Sequence, residues 1–236
     1  MLKEKPRFDQ ELKTRGYEPV WVDVEQYLTE ARCLELAGDF DGWLAGDDQV
    51  TRAVMEKAMP RLKVIAKWGT GLDSIDTVSA KELGLPVLNA PGAFADAVAE
   101  CAIGLTLMVT RHLGAIDRGI RAGSWPKTQG RELRGATLGM IGYGAIGRRI
   151  AELGRAFGME VVFHDPFVEG SKPVPEVAAA ADVLCLACAL TAENRHMVNA
   201  DLLAAMKSDA VLVNVARGPL VDTDALVAAL QAGQIA

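Results

Sequence analysis

The sequence predicts an α/β protein built on parallel sheets with helices packed on their faces, at least one sheet being doubly wound. Three observations carry this. Short apolar runs alternate with helix-period stretches along the chain. One of those runs opens into a glycine-rich turn, followed by an amphipathic helix, a second apolar run and an aspartate. Half of the 236 residues are hydrophobic, enough for a sizeable core in one large or two modest domains.

The glycine-rich stretch runs from Leu138 to Ile150, with glycines at Gly142, Gly144 and Gly147 in a GxGxxG spacing. Each position has a physical task. Gly142 permits a tight turn, Gly144 lets the backbone approach a pyrophosphate, and Gly147 lets the following helix pack closely on its strand. The free N–H groups of that helix's first turn, at Ala145 and Ile146, then face phosphate oxygens with the positive end of the helix dipole behind them. Ile150, Leu153 and Phe157 are expected on the helix's apolar face, and Gly158 closes its end. The run Val161-Val162-Phe163 follows, and Asp165 stands 18 residues after Gly147. A carboxylate at that distance accepts hydrogen bonds from the adenosine ribose hydroxyls and repels a 2′-phosphate, which favours NAD over NADP. Arg148 and Arg149 argue the other way by charge, but they sit inside the helix rather than beyond Asp165. An adenosine-binding methyltransferase also fits parts of this stretch; the full order of strand, turn, helix, strand and acid favours a dinucleotide.

The formal net charge of −6 gives no support to nucleic acid or an anionic membrane surface as a partner. The start of the chain is charged with no apolar segment behind it, and no apolar run is long enough to span a bilayer, so a cytoplasmic location is expected. Of the four cysteines, Cys185 and Cys188 form a CxxC. They lie in a run that reads as a buried strand, where residues three apart face opposite sides, and no second pair or histidine cluster completes a metal site. Core filling is their expected role, and no metal is expected.

In chain order, Val20-Trp21-Val22 reads as a strand and residues 25–37 as a helix. Trp43-Leu44-Ala45 is a second strand, followed by a helix over about residues 50–58. Residues 62–66 are a third, followed by a helix near residues 74–83 and then Val87-Leu88-Asn89. Residues 1–8 offer no strand. The loop Gly69-Thr70-Gly71 follows the third strand at its carboxyl end, where ligands bind in parallel sheets, and its consecutive N–H groups suit a carboxylate; a plain turn accounts for it equally well. The breaker cluster Asn89-Ala90-Pro91-Gly92 divides the chain into residues 1–92 and 93–236. A long helix follows, with Val98, Ala102, Leu105, Met108 and Val109 as its apolar face. Glu100 reads as structural; His112 caps that helix or faces solvent, and His196 has no assigned role. Residues 183–190 form a further strand whose end, near Thr191, falls beside a bound cofactor. Asn199 caps the next helix. Residues 210–215 are the last strand, ending at Val215-Ala216-Arg217. A cation directly after a buried strand, at the carboxyl edge of the sheet, is placed to hold a substrate carboxylate; the alternative is a surface arginine in a turn. Asp222 then caps a helix closed by Gly233.

Together these segments resemble the D-isomer-specific 2-hydroxyacid dehydrogenases, the family that contains phosphoglycerate dehydrogenase. The similar stretches are WGTGLDSID (residues 68–76), NAPG (89–92) with Ala99-Glu100, Gly135 to Gly147 with Asp165, TAENRHMVN (191–199) and NVARGPLV (214–221).

The resemblance implies a Rossmann domain and a flavodoxin-like substrate domain, both incomplete here, with NAD as cofactor. It implies hydride transfer between C2 of a small 2-hydroxy acid and the nicotinamide. Candidate substrates are 3-phosphoglycerate, glyoxylate and hydroxypyruvate. The residue matching Arg217 binds the substrate carboxylate and polarises the 2-oxygen, helped by backbone N–H groups of Gly69, Thr70 and Gly71. Residues matching Gly142, Gly144, Ala145, Ile146, Gly147, Asp165, Thr191, Val215, Ala216 and Arg217 contact the cofactor. The long helix after residue 92 resembles a dimer-forming helix, so a homodimer is expected. The family's acid–base histidine and its glutamate partner fall downstream of the helix that ends near Gly233, and none of His112, His164 and His196 matches the position. Two readings follow: a dehydrogenase whose sequence here lacks part of its site, or a non-catalytic NAD(H)-binding or dimerisation module.

Overall fold

The computed structural model describes residues 5–236, which form two compact units. The first comprises the chain up to Lys67 together with Ser74–Leu88; the second comprises Trp68–Asp73 together with Asn89–Ala236.

The first unit begins with helix α1 (Lys5–Thr14), whose turns carry the i,i+4 pairs Lys13–Asp9 and Arg15–Glu11. The strand expected at Val20–Val22 does not form: residues 17–24 have no regular structure. A strand needs a neighbour to satisfy its ladder, and here Val20 is 62% exposed while Trp21 Nε1 donates to Asp9 on α1. The helix expected over residues 25–37 shortens to α2 (Glu30–Leu36), because the Thr29 side chain caps it by accepting from Arg32 N–H. Strand β1 (Gly42–Ala45), helix α3 (Arg52–Ala58), strand β2 (Val64–Lys67), helix α4 (Thr77–Glu82) and strand β3 (Val87–Leu88) follow, close to the predicted positions. The three strands form a parallel sheet in the order β1-β2-β3. Its core includes Val54, Met55, Leu62 and Ile65.

The second unit is built on strands β4 (Thr137–Ile141), β5 (Glu160–His164), β6 (Val183–Leu186) and β7 (Val211–Asn214), all parallel, in the order β5-β4-β6-β7. Helices α5 (Ala95–Thr110) and α7 (Ala145–Ala156) pack against one face. Helices α8 (Val174–Ala180), α9 (Ala200–Ala205) and α10 (Thr223–Gln231) belong to the opposite core. Helix α6 (Leu113–Arg121), not foreseen from the sequence, follows α5 after His112, which sits in the left-handed region at φ 53°.

Strand β6 shows how a four-residue apolar run serves both faces. Val183 and Cys185 join the α5/α7 core, whereas Leu184 and Leu186 join the α8/α9 core. Its ladder ends at Leu186, so the strand expected over residues 183–190 stops early and the remainder is loop. Cys185 and Cys188 pack with opposite cores; burial pushes the Cys185 thiol up to about 12 and raises that of Cys188. All four cysteines are free thiols. Among the described residues no cluster of potential metal ligands occurs, and no helix is long and apolar enough to cross a membrane.

Two predicted helix faces are corrected, the second at a single residue. On α5 the buried residues are Ala99, Ala102, Ile103, Thr106 and Thr110, while Leu105, Met108 and Val109 are 39%, 51% and 42% exposed. The small side chains lie inward because α5 is pressed between α7 and β7, where larger ones would not fit. On α7 Ile150 is buried and Leu153 packs against the same core as expected, joined by Gly147, Ala151 and Gly154; of the expected face only Phe157, already past the helix end, is exposed.

Candidate active site

The order β5-β4-β6 means that the chain leaves β4 first to one side and then crosses to the other. The carboxyl end of β4 is therefore a topological switch point, where open α/β sheets bind ligands. The glycine-rich turn lies there. Gly142 has φ +96° and donates its N–H to His164 O at 2.8 Å; an added Cβ would lie 2.6 Å from Cys188 N. A Cβ on Gly147 would lie 2.1 Å from Gly142 O. Both glycines are required by the protein's own packing.

Gly144 differs. Its φ of −74° suits any residue and a Cβ there would meet nothing within 4 Å. No contact among the described residues accounts for glycine at this position, and its bare backbone leaves the approach to the helix terminus open. Gly144 is the N-cap of α7 without a side-chain cap, and the first intrahelical bond is donated by Arg148 N–H to Gly144 O at 2.9 Å. The N–H groups of Ala145, Ile146 and Gly147 precede that bond in the ladder. A bare backbone, a dozen-residue helix dipole and open space suit a pyrophosphate, so the residues present fit a dinucleotide.

Asp165 follows β5 and faces this turn. Its Oδ2 accepts from Tyr143 N–H at 2.8 Å and its Oδ1 from Phe167 N–H at 3.0 Å, while its own N–H donates to Ser171 Oγ. The Tyr143 ring stacks on Phe163 with centroids 4.0 Å apart. Arg148 folds back so that Nε donates to Tyr143 O at 2.9 Å, whereas Arg149 pairs with Asp96 and Glu152. The sequence reading gave Tyr143 no role; its place between two turn glycines is the only local signal.

The loops after β6 and β7 lie at the same carboxyl edge. Thr191 N–H donates to Asn194 Oδ1, and Asn194 Nδ2 to Ala189 O, which fixes the loop after β6. After β7, Val215 N–H donates to Leu186 O, Ala216 N–H to Asn214 Oδ1, and Asn214 Nδ2 to Arg217 O. These bonds set the backbone that carries Arg217.

Segment 68–73 packs with this second unit. Asn89 Nδ2 donates to Thr70 O at 2.7 Å and Ala90 N–H to Gly69 O at 3.0 Å. In a planar trans peptide the N–H is opposed to the C=O, so the N–H groups of Thr70 and Gly71 are directed away from residues 89–90. Arg217 lies over this loop. Its Nε is 3.0 Å from both oxygens of Asp73, Nη2 is 2.8 Å from Asp73 Oδ1, and Nη1 donates to Ala216 O at 2.9 Å. A Cβ on Gly71 would lie 2.0 Å from Arg217 Nη2, so glycine makes room for the guanidinium. The structure thus brings the turn residues together with Asp165, and Gly69–Gly71 together with Arg217. The sequence reading gave Asp73 no role, since its partner is 144 residues away.

Residues 103–236 match the family model for the D-isomer specific 2-hydroxyacid dehydrogenase, NAD binding domain. The chain belongs to this family. Among curated dehydrogenases it is 38% identical over 227 residues to D-3-phosphoglycerate dehydrogenase of Methanocaldococcus jannaschii, covering 91% of this chain and 43% of that protein. It is 35% identical to glyoxylate reductase of Thermococcus onnurineus, covering 92% and 70%. The match to hydroxypyruvate reductase of Thermotoga maritima covers 63% of that protein, so the chain spans about half to two thirds of the first relatives it matches. The crystal structure of D-lactate dehydrogenase from Aquifex aeolicus, complexed with NAD and lactic acid, superposes with a TM-score of 0.84 at 29% identity, covering 99% of this chain and 72% of that one. The glycine-rich turn therefore belongs to an NAD-binding domain, and the methyltransferase alternative falls.

Proposed function

We propose that this chain carries the NAD-binding and carboxylate-binding parts of an NAD-dependent oxidoreductase acting on a small D-2-hydroxy acid or its 2-oxo counterpart. The observation that carries the reading is Arg217 lying over the Gly69–Gly71 loop, at the carboxyl edge of the sheet that bears the glycine-rich turn. NAD, when bound, supplies the hydride acceptor or donor. The N–H groups of Ala145, Ile146 and Gly147 hold the pyrophosphate, and the Asp165 carboxylate accepts from the ribose hydroxyls. Thr191, Val215 and Ala216 lie along the cofactor. Arg217 binds the substrate carboxylate and draws electron density from the 2-oxygen, while the N–H groups of Thr70 and Gly71 hold the carboxylate's other side.

Substrates in the range of glyoxylate, hydroxypyruvate and 3-phosphoglycerate fit this clamp, and the activities of the named relatives support that range. In this reading residues 1–92 belong to the substrate side and residues 93–236 to the cofactor side, with segment 68–73 bridging the assignment. The exposed apolar residues Leu105, Met108 and Val109 of α5 support a homodimer through that helix. Four free thiols suit the reducing cytoplasm.

The test uses Arg217→Ala. Titration of the chain with NADH is expected to give the native dissociation constant within about threefold, while reduction or binding of a 2-oxo acid falls by about 10²–10³. Retained turnover would remove Arg217 from the site. A chain that binds NADH but neither binds nor reduces a 2-oxo acid would be a binding module.

A further inference from the structure

The ion pair between Arg217 and Asp73 has a geometry beyond simple charge proximity. Asp73 engages Nε and Nη2 of the same guanidinium, the side-on arrangement that fixes the plane of the group, and Ala216 O holds Nη1 from the adjoining edge. The side chains of both partners are only 36% exposed, and Gly71 supplies the space the guanidinium occupies. An arginine on a flexible stem otherwise samples many rotamers, and ordering it on ligand binding costs affinity.

We propose that Asp73 is a positioning residue: it holds the Arg217 guanidinium over Gly71 in the plane from which it addresses a substrate carboxylate. This rests on the reading of Arg217 as the carboxylate-binding group. It makes segment 69–73 and Arg217 one preassembled anion clamp, in which the acid acts through the arginine and touches no substrate.

The sign of the effect distinguishes positioning from proximity. If Asp73 were merely a nearby negative charge, removing it would strengthen anion binding. If it orients Arg217, removing it weakens binding. The 236-residue chain, saturated with NADH, is titrated calorimetrically with oxalate, a two-carbon carboxylate related to glyoxylate. Asp73→Asn is expected to weaken oxalate binding by about tenfold or more with NADH affinity unchanged. Asp73→Glu is expected to restore part of the loss, and Asp73→Asn is expected to add nothing in an Arg217→Ala background. Gly71→Ala keeps both charges and displaces the guanidinium, so it is expected to weaken oxalate as well and carries the test if Asp73→Asn does not fold. The Nε–H resonance of Arg217 is an independent readout: it is expected to be protected from exchange in the native chain and to lose protection in Asp73→Asn.

Unchanged or tighter oxalate binding by Asp73→Asn, with Arg217→Ala impaired, overturns the positioning role and leaves the reading of Arg217 intact. Native oxalate affinity in Arg217→Ala, or no binding by the native chain, overturns that reading and the proposal with it.

Discussion

Gly147 and Gly142 are in such close apposition that a single methyl group on Gly147 would lie 2.1 Å from the Gly142 carbonyl oxygen. The contact is backbone against backbone, so no side-chain rotation relieves it. Gly147→Ala is expected to lower stability by about 1–3 kcal/mol or more through overpacking, read as a fall in the midpoint of urea unfolding. Gly144→Ala, three residues away, is expected to cost no more than about 1 kcal/mol, because its φ is ordinary and the space is open. Yet its NADH affinity is expected to drop by about tenfold or more, the methyl group standing where the phosphates approach. Equal effects of both variants on stability would refute the separation of roles.

Asp165 is the group expected to choose between cofactors. Asp165→Ser removes the negative charge near the ribose, and the ratio of NADPH to NADH affinity is expected to rise by about tenfold. Competitive titration of the two cofactors measures it directly. No change in the ratio would mean that the carboxylate serves only the Tyr143 and Phe167 N–H groups it accepts from here.

Asp182 gives a pH dependence at the opposite edge of the sheet. Burial pushes its carboxyl up, but hydrogen bonds from the Lys207 ammonium and the Thr137 N–H outweigh that, so its pKa lies below the ordinary carboxylate value. A depressed folded-state pKa gives stability that is fully present above the unfolded value of about 4 and is lost as pH falls through the lower folded value. Asp182→Asn is therefore expected to cost about 1–3 kcal/mol at pH 7 and to flatten the decline in stability below about pH 4. Denaturant melts at several pH values would show it, and an acid limb as steep as the native one would contradict it.

Leu105→Glu and Met108→Glu place charges on the outward side of α5, where the native side chains are largely exposed. Helix content is expected to be unchanged by circular dichroism. For the homodimer proposed through this helix, sedimentation is expected to show a dissociation constant raised by about a hundredfold or more, as an unpaired charge resists burial in an interface. A native chain that sediments as a monomer would remove the homodimer.

The order of elements and the glycine-rich turn were legible because both depend on local pattern. Strands β4 to β7 are apolar runs with breakers at their ends, and Asn199 and Asp222 cap helices as their spacing predicts. The errors arose where a partner decides. Val20–Val22 has strand composition, but its neighbouring side chain is Asp9 on a helix. The α5 face was misread because hydrophobicity alone ranks Leu105 and Met108 above Thr106 and Thr110. Both threonines are buried and satisfy their hydroxyls on carbonyls one turn back, at Ala102 and Thr106. In the candidate site Arg217 was readable from its position after a strand. Asp73 was not, since its relation to Arg217 exists only once the chain is folded.

Segment 68–73 has a consequence for how the family's parts can be exchanged. The polypeptide passes between the two units at residues 67/68, again at 73/74 and a third time at 88/89. Cutting at the obvious breaker near residue 89 and grafting the rest onto the N-terminal part of another family member would carry Arg217 along but leave Asp73 behind. Recombination at that junction therefore keeps the nucleotide turn whole while drawing the arginine's counter-ion from the new host. The two units are interlaced along the sequence rather than joined end to end, and any chimera has to carry the six-residue segment 68–73 together with the arginine 144 residues further on, since both belong to the second unit.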